Sequence, residues 1–261
     1  MTSFCRWLFW LGFFAAGLRA ETVIVPGKNF TEPRTKIDLV AVPAGSFMMG
    51  STDGEPDEQP LTKVTLTHPF WVSKTEITQA QWRVLVPDMP AYFTVDFEQP
   101  VESMSWEQAT EYCQLLTQMA RAQLKLPAGY VFRLPTEAEW SYVVRAGTDG
   151  QYGRKVKKMA WFDGNSRQST HNVAQKQPNA WGIYDLFGNV WEWCADWYAP
   201  LPGGEVKDPV GPRTGDMRVK RGGSWWEPVD FCTVNFRGRG VPGDGSFDTG
   251  FRVVLAPELP Q

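Results

Sequence analysis

The sequence predicts a single irregular α+β domain behind a short leader, and three observations carry that prediction. Twenty-four Gly and 20 Pro in 261 residues demand frequent turns and leave little room for long helices. Short apolar or alternating runs are interleaved with only three well-marked helix starts, all before residue 150. The 13 Trp supply bulk that can hold a fold with few regular ladders around polar networks. Apolar residues at 43% and charged residues at 21% are ordinary for a globular chain and exclude a disordered one.

The elements follow in order. Residues 1–20 carry Arg6, an apolar run from Trp7 to Ala16, and small residues ending at Ala20. This is the pattern of a signal peptide cleaved after Ala20. The run is about half of the ~20 residues a membrane span needs, so the chain is expected to be periplasmic or secreted and not membrane-spanning after cleavage. Residues 21–38 read as an extended arm and residues 39–258 as the domain. Leu39–Pro43 and Ser46–Met49 read as strands about a turn at Ala44-Gly45. An acidic, proline-bearing loop, Asp53 to Pro60, leads to further strands at Val64–Thr67 and Phe70–Val72.

The helix starts are capping boxes, in which a Ser or Thr is followed three residues later by Gln or Glu. Thr78 with Gln81 opens a helix that ends before Pro87. Ser105 with Gln108 opens a second, whose Ala109, Tyr112, Cys113, Leu116 and Met119 form one apolar face. Thr136 with Glu139 opens a third that stops near Gly147. Beyond it the chain is rich in Gly, Asn and Trp, with short strands at Val219–Arg221 and Phe251–Val254. There is no internal repeat, low-complexity tract or linker.

Composition narrows the chemistry. The net charge is −3, and removal of Arg6 and Arg19 with the leader leaves 24 basic against 29 acidic residues, or −5. No basic stripe is present, so nucleic acid is not an expected partner. Two His, His68 and His171, are too few for a multi-histidine metal site. No Ser-His-Asp set, P-loop or dinucleotide fingerprint appears. The three cysteines after the leader, Cys113, Cys194 and Cys232, allow one disulfide in an oxidising compartment, with one thiol left over. Arg133, Glu137 and Glu139 stand among apolar residues and are expected to form partly buried ion pairs.

An ordered set of segments carries a resemblance. It begins with Val42-Pro43-Ala44-Gly45-Ser46-Phe47-Met48-Met49-Gly50-Ser51, then Lys74-Thr75-Glu76-Ile77-Thr78 and Phe132-Arg133-Leu134-Pro135-Thr136-Glu137-Ala138-Glu139-Trp140. It continues through Pro178-Asn179-Ala180-Trp181-Gly182-Ile183-Tyr184-Asp185 and Gly188-Asn189-Val190-Trp191-Glu192-Trp193 to Arg221-Gly222-Gly223-Ser224-Trp225 and Gly250-Phe251-Arg252. In this order they resemble the formylglycine-generating enzyme, or sulfatase-modifying-factor, family over residues 39–255. The resemblance implies a compact domain related to C-type lectins, poor in regular secondary structure and often carrying calcium.

It also implies where chemistry would sit. Family enzymes bind copper(I) with two cysteine thiolates, the first three residues after the Gly-Gly-Ser serine and the second five residues later. Counted from Ser224 these positions are Glu227 and Cys232, so the first thiolate is missing. A carboxylate is a hard ligand and cannot stand in for a thiolate on copper(I), so no copper is expected. The resemblance therefore implies an accessory or regulatory module that binds an envelope protein or peptide. Periplasmic accessory proteins of type VI secretion signalling, the TagR-type group, are the members it suggests. The binding groove is expected to be rimmed by Trp191, Ser224, Trp225, Trp226, Glu227 and Arg237, aromatics with a few polar groups. The alternative is a periplasmic oxidase or peptide-modifying enzyme, like the siderophore-maturation proteins of this fold, using Glu227 as base or ligand and Cys232 as nucleophile or ligand. Finally, the positions that match a family calcium site are Asp185, Gly188, Val190 and Glu192, two carboxylates and two backbone carbonyls for a hard cation.

Overall fold

Each of the three expected helices starts where its capping box places it, and a further single turn of helix, uncapped, spans Val156–Met159. The computed structural model describes residues 22–150 and 152–260, so the expected leader, residues 1–20, lies outside the described residues. Helix α1 (Gln79–Arg83) is capped by Thr78 and Gln81, α2 (Trp106–Arg121) by Ser105 and Gln108, and α3 (Glu137–Arg145) by Thr136 and Glu139, with both hydrogen bonds of each box formed. The apolar face of α2 is buried as its spacing predicts. Helix α3 ends at Ala146, in the left-handed region with φ 47°, followed by Gly147 at φ 76°.

The main strands are β1 (Asp38–Val42), β2 (Phe70–Ser73), β3 (Tyr130–Arg133), β4 (Trp191–Trp197), β5 (Arg218–Arg221) and β6 (Val254–Pro257). One five-stranded sheet has the order Phe30–Thr31, β1, β2, β6, β3. It lies between two apolar clusters, and alternate residues enter each. Val40, Val42, Val72 and Val254 pack with Trp140 and Phe187, whereas Leu39, Trp71 and Leu255 pack with Trp82, Tyr112 and Leu116. A sheet covered on both faces explains why Phe70-Trp71-Val72 reads as a continuous apolar run. A second sheet, ordered Gly238–Gly240, β5, β4, Thr249–Gly250, carries the candidate site. A third joins Gly204–Lys207, Thr62–Leu66 and Gly45–Met49. The architecture is α+β, with 18% helix and 24% strand, as expected.

Three features depart from the expectations. The arm at 21–38 is stitched to the domain: Thr22–Val23 pairs with Leu124–Lys125, and Ile24 and Ile37 are buried in the core. The strand expected at Phe251–Val254 begins instead at Val254. Residues 251–253 cross from the second sheet to the first, and their backbone carbonyls serve Ile77 and Ser73 outside any ladder. The disulfide that the composition allowed is not formed among the described residues, where Cys113, Cys194 and Cys232 are free and buried. The expected ion pairs are present: Arg133 binds Glu139 at 2.7 Å, and Glu137 binds Arg237 at 2.6 Å and lies 3.6 Å from Arg221. No helix among the described residues is long and apolar enough to cross a membrane.

Candidate functional site

The Gly-Gly-Ser turn after β5 builds the site. Gly222 and Gly223 have φ of 100° and 78°, a region that L side chains rarely adopt. A Cβ on Gly223 would also lie 2.9 Å from the Cys232 sulfur. The turn buries Ser224 and Trp225 and sends Trp226 outward, 53% exposed. Trp225 meets Phe93, Trp226 and Phe247 at ring separations of 5.2, 5.2 and 5.6 Å. Phe247 in turn touches Trp226 and Tyr92, and Tyr92 is 72% exposed. The result is an aromatic face with a buried Trp225 at its centre and Tyr92, Trp226 and Phe247 open to solvent.

A polar floor supports this face. Buried Asp248 accepts hydrogen bonds from Ser246 at 2.6 Å, Thr249 at 3.0 Å and Ser224 at 3.4 Å. The Lys220 ammonium lies over the rings of Trp191 and Trp193 and donates to the Thr249 hydroxyl at 3.2 Å. Glu227 is half-buried and accepts a hydrogen bond from the Trp191 side chain. Burial and nearby Asp248 push its carboxyl above the ordinary range, against the pull of Lys220. Glu102 is buried and accepts from the Phe93 backbone N–H at 2.8 Å and the Ser103 hydroxyl at 2.6 Å. Burial, with a smaller contribution from Asp248, pushes its carboxyl up to about 7. Glu102 therefore anchors the segment that carries Tyr92 and Phe93.

Of the expected groove residues, Trp191, Ser224, Trp225, Trp226 and Glu227 come together here. Arg237 does not, and its assignment is corrected. It is buried, its guanidinium donates two hydrogen bonds to Glu137 at 2.6 and 2.7 Å, and it donates a third to the Asp57 carbonyl. A buried guanidinium needs a carboxylate partner, and Glu137 supplies one inside the fold. Tyr92, Phe93, Phe247, Glu102 and Asp248 were missed. They come from separate loops with no local period, and only the adjacent aromatic pair Tyr92-Phe93 offered a signal.

The alternative catalytic pair loses its nucleophile. Cys232 is fully buried behind Gly223, on a cavity of about 360 Å³ also lined by Tyr152 and Phe187. Burial, reinforced by nearby acids including Glu227, pushes its thiol up to about 12, so it is not a thiolate at neutral pH. Glu227 and Cys232 together do not fit copper(I): one donor is hard and the other is a protonated, packed thiol.

The expected calcium residues lie at the entry to β4. Gly188, at φ 70°, passes so close to Trp161 that a Cβ would lie 1.9 Å from its carbonyl oxygen. Asp185 is buried; its Oδ2 accepts from the Ala174 N–H at 2.7 Å and its Oδ1 has no partner. Glu192 enters differently from the expectation. Its Oε1 accepts from Arg252 Nη2 at 2.5 Å, and its Oε2 accepts from Arg252 Nε at 2.6 Å and Trp140 Nε1 at 2.7 Å. The Glu192 carboxylate is thus the partner of Arg252, and only Asp185 offers an uncommitted side-chain oxygen. Glu76 lies beside them, accepting from Val190 N–H at 3.1 Å and the Asn189 amide at 2.6 Å. Burial raises the Glu76 carboxyl well above its usual range and Asp185 to about 6, with Glu192 adding to both. Among the described residues no group of three or more His, Cys, Asp or Glu side chains is arranged to hold a metal ion. Asp185 Oδ1 has the chemistry of a calcium ligand; the Glu192 carboxylate is largely committed to Arg252 and Trp140.

The glycine turn, the crossing at residues 251–253 and the three buried acids around Arg252 all lie within the stretch of the chain that matches proteins of the formylglycine-generating-enzyme type. Residues 25–257 match the sulfatase-modifying factor enzyme 1-like domain, and the chain belongs to that family. The formylglycine-generating enzyme of Streptomyces coelicolor is 29% identical to it over 94% of this chain and 75% of that enzyme. Among solved structures, Treponema denticola variable protein 1 is similar with a TM-score of 0.79 at 29% identity, covering 88% of this chain and 99% of that one. PvdO from Pseudomonas aeruginosa is similar with a TM-score of 0.73 at 27% identity, covering 89% of this chain and 99% of that one.

Proposed function

We propose that the chain is an exported accessory member of its family, binding an envelope protein or peptide through the aromatic face and making no formylglycine. One observation carries the reading: three exposed aromatics, Trp226 edge to face with Phe247 and Tyr92 tilted against it, cluster over a buried polar floor, while the thiol that remains from the family pair is locked behind Gly223. Exposed, clustered aromatic side chains with polar groups at the base suit partner contact. The type VI secretion signalling machinery is the assembly the resemblance suggests for that partner. Export follows from the leader pattern, and protein recovered from cells should begin at or near Glu21.

Incubation with a sulfatase-type cysteine peptide, copper and oxygen, followed by mass spectrometry, tests the catalytic half of the proposal. No conversion above a protein-free control is expected. Turnover would overturn it. A calcium ion is proposed at Asp185 with the Gly188 and Val190 carbonyls, Glu192 remaining with Arg252. Added calcium should raise Tm, by about 2.7 kcal/mol of stability at a hundredfold excess over Kd. Asp185→Ala should abolish the rise, and a melting curve unmoved by chelator or calcium would refute the site.

A further inference from the structure

A second surface lies away from the aromatic face, in the groove between α2 and β3. It encloses about 600 Å³. Trp106, Thr110, Gln114, Gln118 and Arg121 form one wall, a single stripe along the whole of α2. Residues 131–134 of and just after β3, with Arg218 of β5, form the other. Strand β3 is an edge of its sheet, yet its edge is not free to add a strand. The Thr117 hydroxyl binds both the Phe132 N–H, at 2.9 Å, and the Phe132 carbonyl, at 3.2 Å, and the Leu134 carbonyl accepts from Arg133. An occupant must therefore be recognised by side chains.

Arg218 is the unusual group. Its guanidinium carbon lies 3.6 Å from the Trp106 ring centre and 3.5 Å from that of Trp197, so indoles cover both of its faces. Nη1 donates to the Ala195 carbonyl at 2.7 Å, and Nε has no partner. No carboxylate among the described residues lies within 4 Å of it. Arg133, Arg221, Arg237 and Arg252 each face a carboxylate, and buried Arg145, which faces none, is satisfied by the Ser141 carbonyl and the Asn235 amide oxygen. Burial brings the Arg218 guanidinium down to about 10, against the pull of Asp196 and Glu107. Arg218 is half-buried and lines the groove, and a fixed, stacked guanidinium without an ion pair is a preorganised carboxylate receptor. Arg121, exposed at the far end of α2, is likewise without an ion pair. Fifteen residues of helix separate it from Trp106, about 22 Å. That is the length of six or seven residues of extended chain at about 3.3 Å each. Exposed Glu258 is the one acid on the lining.

We propose that this groove takes an extended acidic peptide segment, with one carboxylate at the Arg218 guanidinium and another near Arg121. The site is independent of the aromatic face. The probe is a fluorescent, capped hexaglutamate peptide, titrated against the full chain at low salt and read by polarisation. The protein is itself net negative, so general attraction does not favour the probe. Saturable binding is expected, with none for capped hexaglutamine. Arg218→Met and Arg121→Glu should each weaken it at least tenfold, and Arg218→Lys should rescue it only in part because it loses the planar fork. Arg121 is exposed, so Arg121→Glu tests the groove even where the Arg218 variants fail to fold. Equal binding of hexaglutamine, unchanged affinity in Arg121→Glu, or tighter binding of hexathymidylate would each overturn the assignment.

Discussion

Replacing Glu102 with Gln should stabilise the protein at pH 8 and leave it nearly unchanged at pH 5. Glu102 is fully buried, and its carboxyl is raised to about 7 from an ordinary value of 4.5. Above pH 7 the native state holds a desolvated carboxylate, whereas the unfolded chain ionises the same group in water. As pH falls through 7 the native carboxyl takes up a proton that the unfolded chain does not bind until about 4.5, so stability from this group grows across that window. The penalty at pH 8 amounts to about 3 kcal/mol. Gln keeps the carbonyl that accepts from the Phe93 N–H and carries no charge. Thermal melts of both proteins from pH 5 to 8 cancel every other titration in the difference. At about 2–4 °C per kcal/mol for a chain of this size, the Gln variant should melt several degrees higher at pH 8, and the gap should close toward pH 5. A gap that is independent of pH, or a variant less stable at pH 8, would refute the buried-carboxyl account.

Two further outcomes follow from the core. Arg252→Met should lose about 3–5 kcal/mol in denaturant titration, because it strands Glu192 and removes the one guanidinium facing Glu76 and Asp185. A loss below about 1 kcal/mol would contradict the pairing. The three thiols, all buried and raised by burial, should resist a thiol reagent at pH 8 until the protein unfolds, and rapid labelling of the native protein would contradict their placement.

Local rules made the helices legible. A capping box is a reciprocal contact over three residues, so Thr78, Ser105 and Thr136 could be read without knowing what they pack against. The aromatic face was legible only at Trp225 and Trp226, beside the glycine turn. Tyr92, Phe93 and Phe247 reach it through long-range packing that no period records. Arg237 and Glu192 had structural partners that the sequence did not show. Both are charged residues at positions where a site was expected, and both are consumed by partners 100 and 60 residues away, Glu137 and Arg252. Strand β4 was missed because its start was read as part of a metal loop through Glu192, whereas Glu192 binds Arg252 from within the strand.

The aromatic face is most directly tested by crosslinking capture from an envelope fraction with the wild-type chain and a Trp226→Ala/Phe247→Ala variant. Both replaced side chains are exposed, so the variant should melt within a degree or two of the wild type. A partner crosslinked to the wild type and lost from the equally folded variant is the predicted result. Capture of the same partner in the same yield by both proteins would contradict the account.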